Sequence, residues 1–370
     1  DLDVSSAAFR KIAAESYARL LPCLSRNPEF NTSIQFRFPR DAERHYRDLL
    51  NWTAKYRSYP THSVKNYTGP WIENLFISNF IERPLSHWTG LIPLFLQYTD
   101  FHVQTFKYPP RSRKNRNWRE FPRVMCSQLR ANVLYVAVTQ DALGLARLGR
   151  LCPNILSLSA GGFGHIPIPL IKGELSTSAA PKNWQMDVGF FGRKRVWARS
   201  GMLKVFKRQL ANFTSNFSTP HQASATMSLV TANTTSTTTW QHWINVTRFN
   251  LAPRGWGRSS YRLAEIIQLG RLPVYMYNDQ PWLPYEGSEY SVKYIGLVGS
   301  KGKSLELVRQ IAALRDDDSA FHARLARVAR ARRKYTYEGV LEELGLFFQA
   351  PLGPGGGHLK CVAQYPLKET

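Results

Sequence analysis

At 370 residues the chain is long enough for two domains of ordinary size, and 43% hydrophobic with 13% aromatic side chains excludes global disorder. The formal net charge of +23 points to a polyanionic or phosphate-bearing partner: nucleic acid, an acidic polysaccharide, a membrane surface or a nucleotide. No run of about 18 apolar residues occurs, so no segment reads as a membrane-spanning helix.

In chain order, residues 5–22 and 41–57 carry apolar side chains at helical spacing and predict two helices. The apolar runs ENLFISNF (73–80), NVLYVAV (132–138) and NILSLS (154–159) predict buried strands, with a short helix over 141–149 between the last two. YPPRSRKNRNWREFPR (108–123) predicts a basic loop. The Pro-bearing stretch 162–183 predicts a linker between two halves. The second half opens with a strand over MDVGFFG (186–192) and a helix over ARSGMLKVFKRQLANF (198–213). The Ser/Thr-rich segment 218–239 predicts a mobile loop. A short helix (240–247) and the strand RFNLAP (248–253) follow. SVKYIGLV (291–298), helices over 303–314 and 319–335, and a Gly/Pro tail before Cys361 complete the chain. Strands alternating with helices imply mostly parallel α/β sheets.

Seven N-x-[ST] sequons, at Asn31, Asn51, Asn66, Asn212, Asn216, Asn233 and Asn245, favour the secretory pathway and argue against a nucleic-acid partner. Four cysteines suit an oxidising compartment, and no CxxC pair suggests a zinc site. Three disulfide connectivities are open. Cys126–Cys152 is favoured because these two flank one predicted strand–helix unit. The chain begins at Asp1 without a signal-like stretch, and it reads as a lumenal region from which an N-terminal membrane anchor is absent.

The most patterned stretch is NLAPRGWGRSSYRLAEIIQLGRLPVYM (250–276). A strand ends at Pro253, a Gly- and Arg-rich loop follows, and Ser259 or Ser260 can cap a helix running to about Leu269. Gly270 ends that helix, and Pro273 opens the next strand. This makes a compact βαβ unit with Leu263, Ile266 and Ile267 facing the sheet. Arg262 and Glu265, three apart, share a side expected to be exposed near the loop. Backbone N–H groups, two hydroxyls and Arg254, Arg258 and Arg262 converge there, which suits a diphosphate. Glu265, one turn on, is placed to accept hydrogen bonds from a ribose diol. The plainer alternative is an ordinary βαβ turn carrying a surface ion pair.

Residues 249–285 resemble the signature of the exostosin family of glycosyltransferases: a strand ending in Pro-Arg-Gly, then Ser, Arg and Glu on a helix, then Gly-x-x-Pro-Val and a later Leu-Pro. Weaker echoes lie in YTGPWIENLFISNF (67–80), PNILSLSAGGFGHIPIPL (153–170) and VGFFGRKR (188–195). The resemblance implies an α/β GT-B fold, two Rossmann-like domains facing a cleft. An acceptor-side domain would cover 1–175, a nucleotide-sugar domain 183–340, and a tail over 341–370 would pack back on the first domain. It implies inverting transfer from a UDP-sugar co-substrate to a glycan or glycoprotein hydroxyl in the Golgi lumen, with no metal or other cofactor. Carried over by position, Arg254, Gly255, Ser259, Ser260, Arg262 and Glu265 would bind the nucleotide sugar, with Gly192 and Arg193 in the opening loop of that domain. A homo- or hetero-dimer is left open.

The Gly-Arg-Asp-His motif usual in plant members is missing. YTDFHV (98–103) holds the nearest Asp/His pair, which makes Asp100 and His102 candidates for the catalytic base. His165, in the Gly-rich stretch beside the linker, is the third. RDDDS (315–319) contains D-x-D but directly precedes a helix, so a helix N-cap is the better reading. Two alternatives to the UDP-dependent transferase remain. One is a non-catalytic polyanion- or glycan-binding protein on the same fold. The other is a GT-B transferase using GDP-sugars.

Overall fold

The computed structural model describes residues 3–57, 70–100, 102, 113–176, 181, 183–193, 196–217, 229–232 and 237–365. The chain divides into two compact α/β units. Unit 1 comprises Asp1–Ile168 and Tyr337–Glu369, and unit 2 comprises Pro169–Thr336. Among the described residues no helix is long and apolar enough to cross a membrane.

Unit 1 opens with helices α1 (Ala7–Leu24), α2 (Ala42–Arg57) and α3 (Ile72–Phe80). Its sheet is parallel throughout, in the order β1 (Ile92–Pro93), β2 (Tyr135–Thr139), β3 (Ile155–Ser159), β4 (Ile166–Pro167). β2 and β3 pair residue for residue from Tyr135 with Ile155 to Thr139 with Ser159. Every residue of both strands is buried, as expected of parallel strands covered on two faces. Helices α4 (Arg113–Ser127) and α5 (Ala146–Leu151) lie between the strands in sequence, and α12 (Tyr337–Gln349) returns to this unit. There Phe348 stacks against Trp88 with ring centroids 4.6 Å apart and against Phe76 and Phe80.

Two disulfides close unit 1. Cys126–Cys152 ties the end of α4 to the end of α5, as favoured above, and Cys23–Cys361 joins α1 to the tail. The tail is pinned further by Arg19 Nε on the Pro351 carbonyl and by the wholly buried Glu343, which accepts from His358 N.

Two expectations for this unit are corrected. The run 73–80 is helix α3, not a strand. Trp71 N donates to Asn74 Oδ1 at its start, and Ile72, Phe76 and Phe80 recur every four residues on the buried face. A short apolar run does not by itself separate the two states. The basic segment 108–123 is helical from Arg113 onward. Phe121 and Met125, four apart and buried, form an apolar stripe that the surrounding charges obscure. Residues 108–112 lie outside the described residues.

Unit 2 is a five-stranded parallel sheet in the order β6 (Leu229–Ala232), β5 (Met186–Phe191), β7 (Thr247–Pro253), β8 (Leu272–Tyr277), β9 (Leu297–Ser300). Its helices are α6 (Trp197–Phe217), α7 (Thr237–Val246), α8 (Tyr261–Gln268), α9 (Val292–Ile295), α10 (Ser304–Asp316) and α11 (Asp318–Ala331). Val188, Phe190, Met202, Phe206, Leu251, Val274 and Phe321 are among the side chains that fill the core.

The segment expected to be a mobile loop contributes strand β6 and the start of α7, while 218–228 and 233–236 lie outside the described residues. Asp317 caps α11 through a bond from Ala320 N, and Asp318 pairs with Arg248, so RDDDS is a helix start. Among the described sequons, Asn31, Asn51 and Asn212 are exposed, whereas Asn245 has a buried Oδ1 that bonds to no described residue. Asn216 falls in α6, and Asn66 and Asn233 lie outside the described residues.

Candidate functional site

In unit 2 the strand order reverses between β5 and β7. Open parallel sheets hold ligands beyond the carboxyl ends of their strands at such a reversal. Gly192 follows β5 there, and the loop Arg254–Ser260 follows β7.

The loop is braced by its own arginines. Arg254, 3% exposed, donates from Nε to the Gly257 carbonyl (2.8 Å) and from Nη2 to the Trp256 carbonyl (3.1 Å). Its Nη1 reaches Asn278 Oδ1 and Asp279 Oδ1, both at 2.9 Å. Arg258 Nη2 grips the other oxygen of Asp279 at 2.7 Å. Gly255 N donates to the Ser259 carbonyl (2.8 Å), and Tyr275 OH donates to that of Arg258. Arg254 and Arg258 therefore shape the loop around Asp279.

Helix α8 begins immediately after this loop, with Ser260 at the N-cap. Ser260 is 2% exposed, yet its Oγ makes no hydrogen bond with any described residue. Leu263, Ile266 and Ile267 pack on the sheet as expected, and Gly270, at φ +70°, ends the helix. Arg262 and Glu265 are not on the solvent side as expected: their side chains are 14% and 11% exposed. Arg262 Nη1 lies 3.0 Å from Glu265 Oε2 as an ion pair, at an angle that makes no hydrogen bond. The Arg262 guanidinium rests on the Trp240 ring, 4.2 Å from its centroid, a cation–π contact that fixes its orientation. Burial lowers the Arg262 pKa, and Glu265 partly opposes this.

A second guanidinium joins from α6. Arg199 Nη1 donates to the Arg193 carbonyl (2.9 Å), and its Nη2 lies 3.6 Å from where a Cβ of Gly255 would stand. Arg262 Nη2 bears the same 3.6 Å relation to Gly192. Gly192, Gly255, Ser260, Arg262 and Glu265 are thus brought together, and the Arg193 side chain turns to solvent. Arg199 and Asp279 escaped the sequence reading. Each belongs to a different segment from the patterned stretch or its loop, and only the sheet order brings them in.

Unit 1 gathers a second constellation at the carboxyl ends of β1 and β2. His102 Nδ1 lies 2.5 Å from Asp141 Oδ2, both side chains being under 10% exposed. Asp141 Oδ1 accepts from Leu143 N, and its own N–H bonds to Thr139 Oγ1. The Gly-rich stretch holds this turn in place, since a Cβ on Gly161 would stand 1.6 Å from the Asp141 carbonyl oxygen. Asp100, fully buried, accepts from Trp71 Nε1 (2.6 Å) and Asn74 Nδ2 (3.3 Å). Beside it Glu73 takes the backbone N–H groups of Thr99 and Gln140, and burial raises its pKa to about 7.

Asp141 therefore holds the His102 imidazole by one nitrogen and sets its orientation. His165 lies apart from the pair. It is 1% exposed, its Nδ1 accepts from Ser157 N, and its ring meets Tyr365. Burial drives its pKa down to about 3, so it stays neutral as a core residue. Asp141 was missed because it sits 39 residues from His102.

No family model matches the chain, and no curated protein sequence matches it. Several solved structures are similar to it. An alpha-glucosyltransferase in complex with UDP and a 13-mer DNA shares 8% identity over 61% of this chain and 74% of its own, with a TM-score of 0.36. TarM of S. aureus, as a mutant in complex with UDP, shares 10% over 58% and 55% with a TM-score of 0.35. A further TarM structure shares 14% over 62% and 53% with a TM-score of 0.33.

Proposed function

We propose that the chain is a glycosyltransferase of GT-B type that moves a sugar from a UDP-sugar to a hydroxyl of a glycan or glycoprotein, with inversion and without a metal. The observation that carries this reading is the charge imbalance at the strand reversal of unit 2. Among the described residues Arg199 and Arg262 meet one carboxylate, that of Glu265, beside a helix N-terminus whose cap hydroxyl bonds to none of them. Low-dielectric surroundings make such a place favourable for an anion, and a nucleoside diphosphate supplies one. The likeness of residues 249–285 to the exostosin signature supports UDP as that nucleotide.

In this reading the acceptor oxygen attacks the anomeric carbon on the face opposite the leaving group. The new C–O bond forms as the bond to the UDP oxygen breaks. The acceptor proton passes to a general base, the role proposed for His102, and the electron pair of the breaking bond leaves on the diphosphate. Arg262 and the N-terminus of α8 stabilise that charge as it grows, the work a metal performs in other transferases. Oε1 of Glu265, which carries no hydrogen bond among the described residues, takes the ribose hydroxyls. The exposed sequons and the two disulfides support an oxidising, lumenal setting, and the Golgi lumen is the setting proposed.

Calorimetric titration tests the reading. UDP is expected to bind at least about tenfold more tightly than GDP. Product NMR is expected to give the anomer opposite to the donor. Binding of a sulfated polysaccharide with indifference to UDP would replace this reading with a polyanion-binding module.

A further inference from the structure

Arg199 stands third in helix α6, whose first turn holds no acidic residue. A cation there opposes the helix macrodipole. The guanidinium is half-buried above the Phe190 ring, 5.5 Å from its centroid. Its Nε is buried without a hydrogen bond among the described residues. Burial, and after it the nearby charge of Arg262, push its pKa down to about 10, and among the described residues Glu265 acts the other way. Glu265 is already drawn to Arg262. Desolvation, the like charge and the dipole all weigh against keeping this arginine here in the free protein. Gly192 and Gly255 present no side chain at the two points where the guanidiniums approach, so small oxyanions can reach both.

We infer that Arg199 is a second phosphate-binding residue, and that with Arg262 it forms a two-guanidinium clamp on the diphosphate of a bound nucleotide. The inference rests on reading this site as a nucleotide site. The clamp accounts for an otherwise unfavourable arrangement: a group with about two negative charges offsets two cations that share one carboxylate. The bond to the Arg193 carbonyl and the Phe190 ring hold Arg199 in place but do not offset the second positive charge beside Arg262.

Calorimetry and thermal unfolding of the parent, Arg199→Gln and Arg199→Lys provide the test, with UDP, uridine and inorganic pyrophosphate as ligands. Arg199→Gln is expected to weaken UDP and pyrophosphate by about ten- to thirtyfold, with uridine unchanged and Arg199→Lys in between. The ligand-free Tm of Arg199→Gln is expected to stay level or rise by a few degrees, about 2–4 °C at most, because a repulsion is removed. Unchanged pyrophosphate and UDP affinity in Arg199→Gln overturns the clamp. So does a marked fall in its ligand-free Tm, which makes Arg199 a folding residue. If the parent takes pyrophosphate in an Arg199-dependent way but ignores UDP, the clamp stands and the nucleotide reading falls.

Discussion

His102 and Asp141 illustrate how far single residues can be read. His102 was a candidate from its closeness to Asp100, but its oriented partner is Asp141, at the end of the next strand. The carboxylate is held by Leu143 N and so fixes the orientation of the imidazole. If His102 is the proposed base, His102→Gln is expected to lower turnover by about 10²–10⁴ while UDP affinity stays within about twofold, since a base acts on the acceptor. Asp141→Asn, which loosens the hold on the imidazole, should lower turnover less. UDP-release kinetics decide this, and near-parental turnover in His102→Gln removes it as the base. His165 was equally legible as a histidine beside a Gly-rich stretch. Its wholly buried place, which no local pattern reveals, makes it a packing residue.

Among elements, the strands β2, β3, β5, β7 and β8 were legible because continuous apolar runs mark buried parallel strands. Helix α8 was legible to its caps, since Ser260, Leu263, Ile266, Ile267 and Gly270 each carry a local rule. Helices α3 and α4 were not, because one has too short an apolar run and the other too narrow a stripe among charges. The burial of Arg262 and Glu265 was also hidden: it depends on Trp240 of α7 and Arg199 of α6 closing over the helix. The Gly-rich stretch 160–164 was recognised, but its role is steric. Gly161→Ala would drive a Cβ to 1.6 Å from the Asp141 carbonyl oxygen, so backbone must move. Denaturant unfolding is expected to show a loss of roughly 2 kcal/mol or more, with turnover falling alongside. A change below about 0.5 kcal/mol would mean that the two loops are not in this contact.

At the scale of the molecule, two buried groups of unit 1 set opposing pH dependences. Glu73, raised from 4.5 to about 7, keeps its full contribution below pH 4.5 and loses it as the pH climbs to 7. His165, lowered from 6.5 to about 3, keeps its contribution above pH 6.5 and loses it as the pH falls to 3. Between pH 4.5 and 6.5 the two slopes cancel in the parent. Glu73→Gln should therefore uncover a stability that rises with pH in this window, by up to about 1.4 kcal/mol per unit. Urea midpoints across pH 4.5–6.5 check this, and parallel profiles for parent and variant would contradict it. Because guanidiniums supply the charge at the unit 2 loop, transfer is expected to survive EDTA; loss with chelator and rescue by manganese would show otherwise. The central claim, that the loop after β7 and helix α8 hold a nucleotide diphosphate, is met most directly by titrating UDP into the parent, Glu265→Gln and Arg262→Ala. A charge-assisted carboxylate–ribose pair is worth roughly 1.5–3 kcal/mol, so Glu265→Gln should bind UDP about ten- to a hundredfold more weakly, and Arg262→Ala at least as weakly, each with a ligand-free Tm close to the parent's. Parental UDP affinity in both variants would reduce the stretch to a well-formed βαβ turn carrying a buried ion pair.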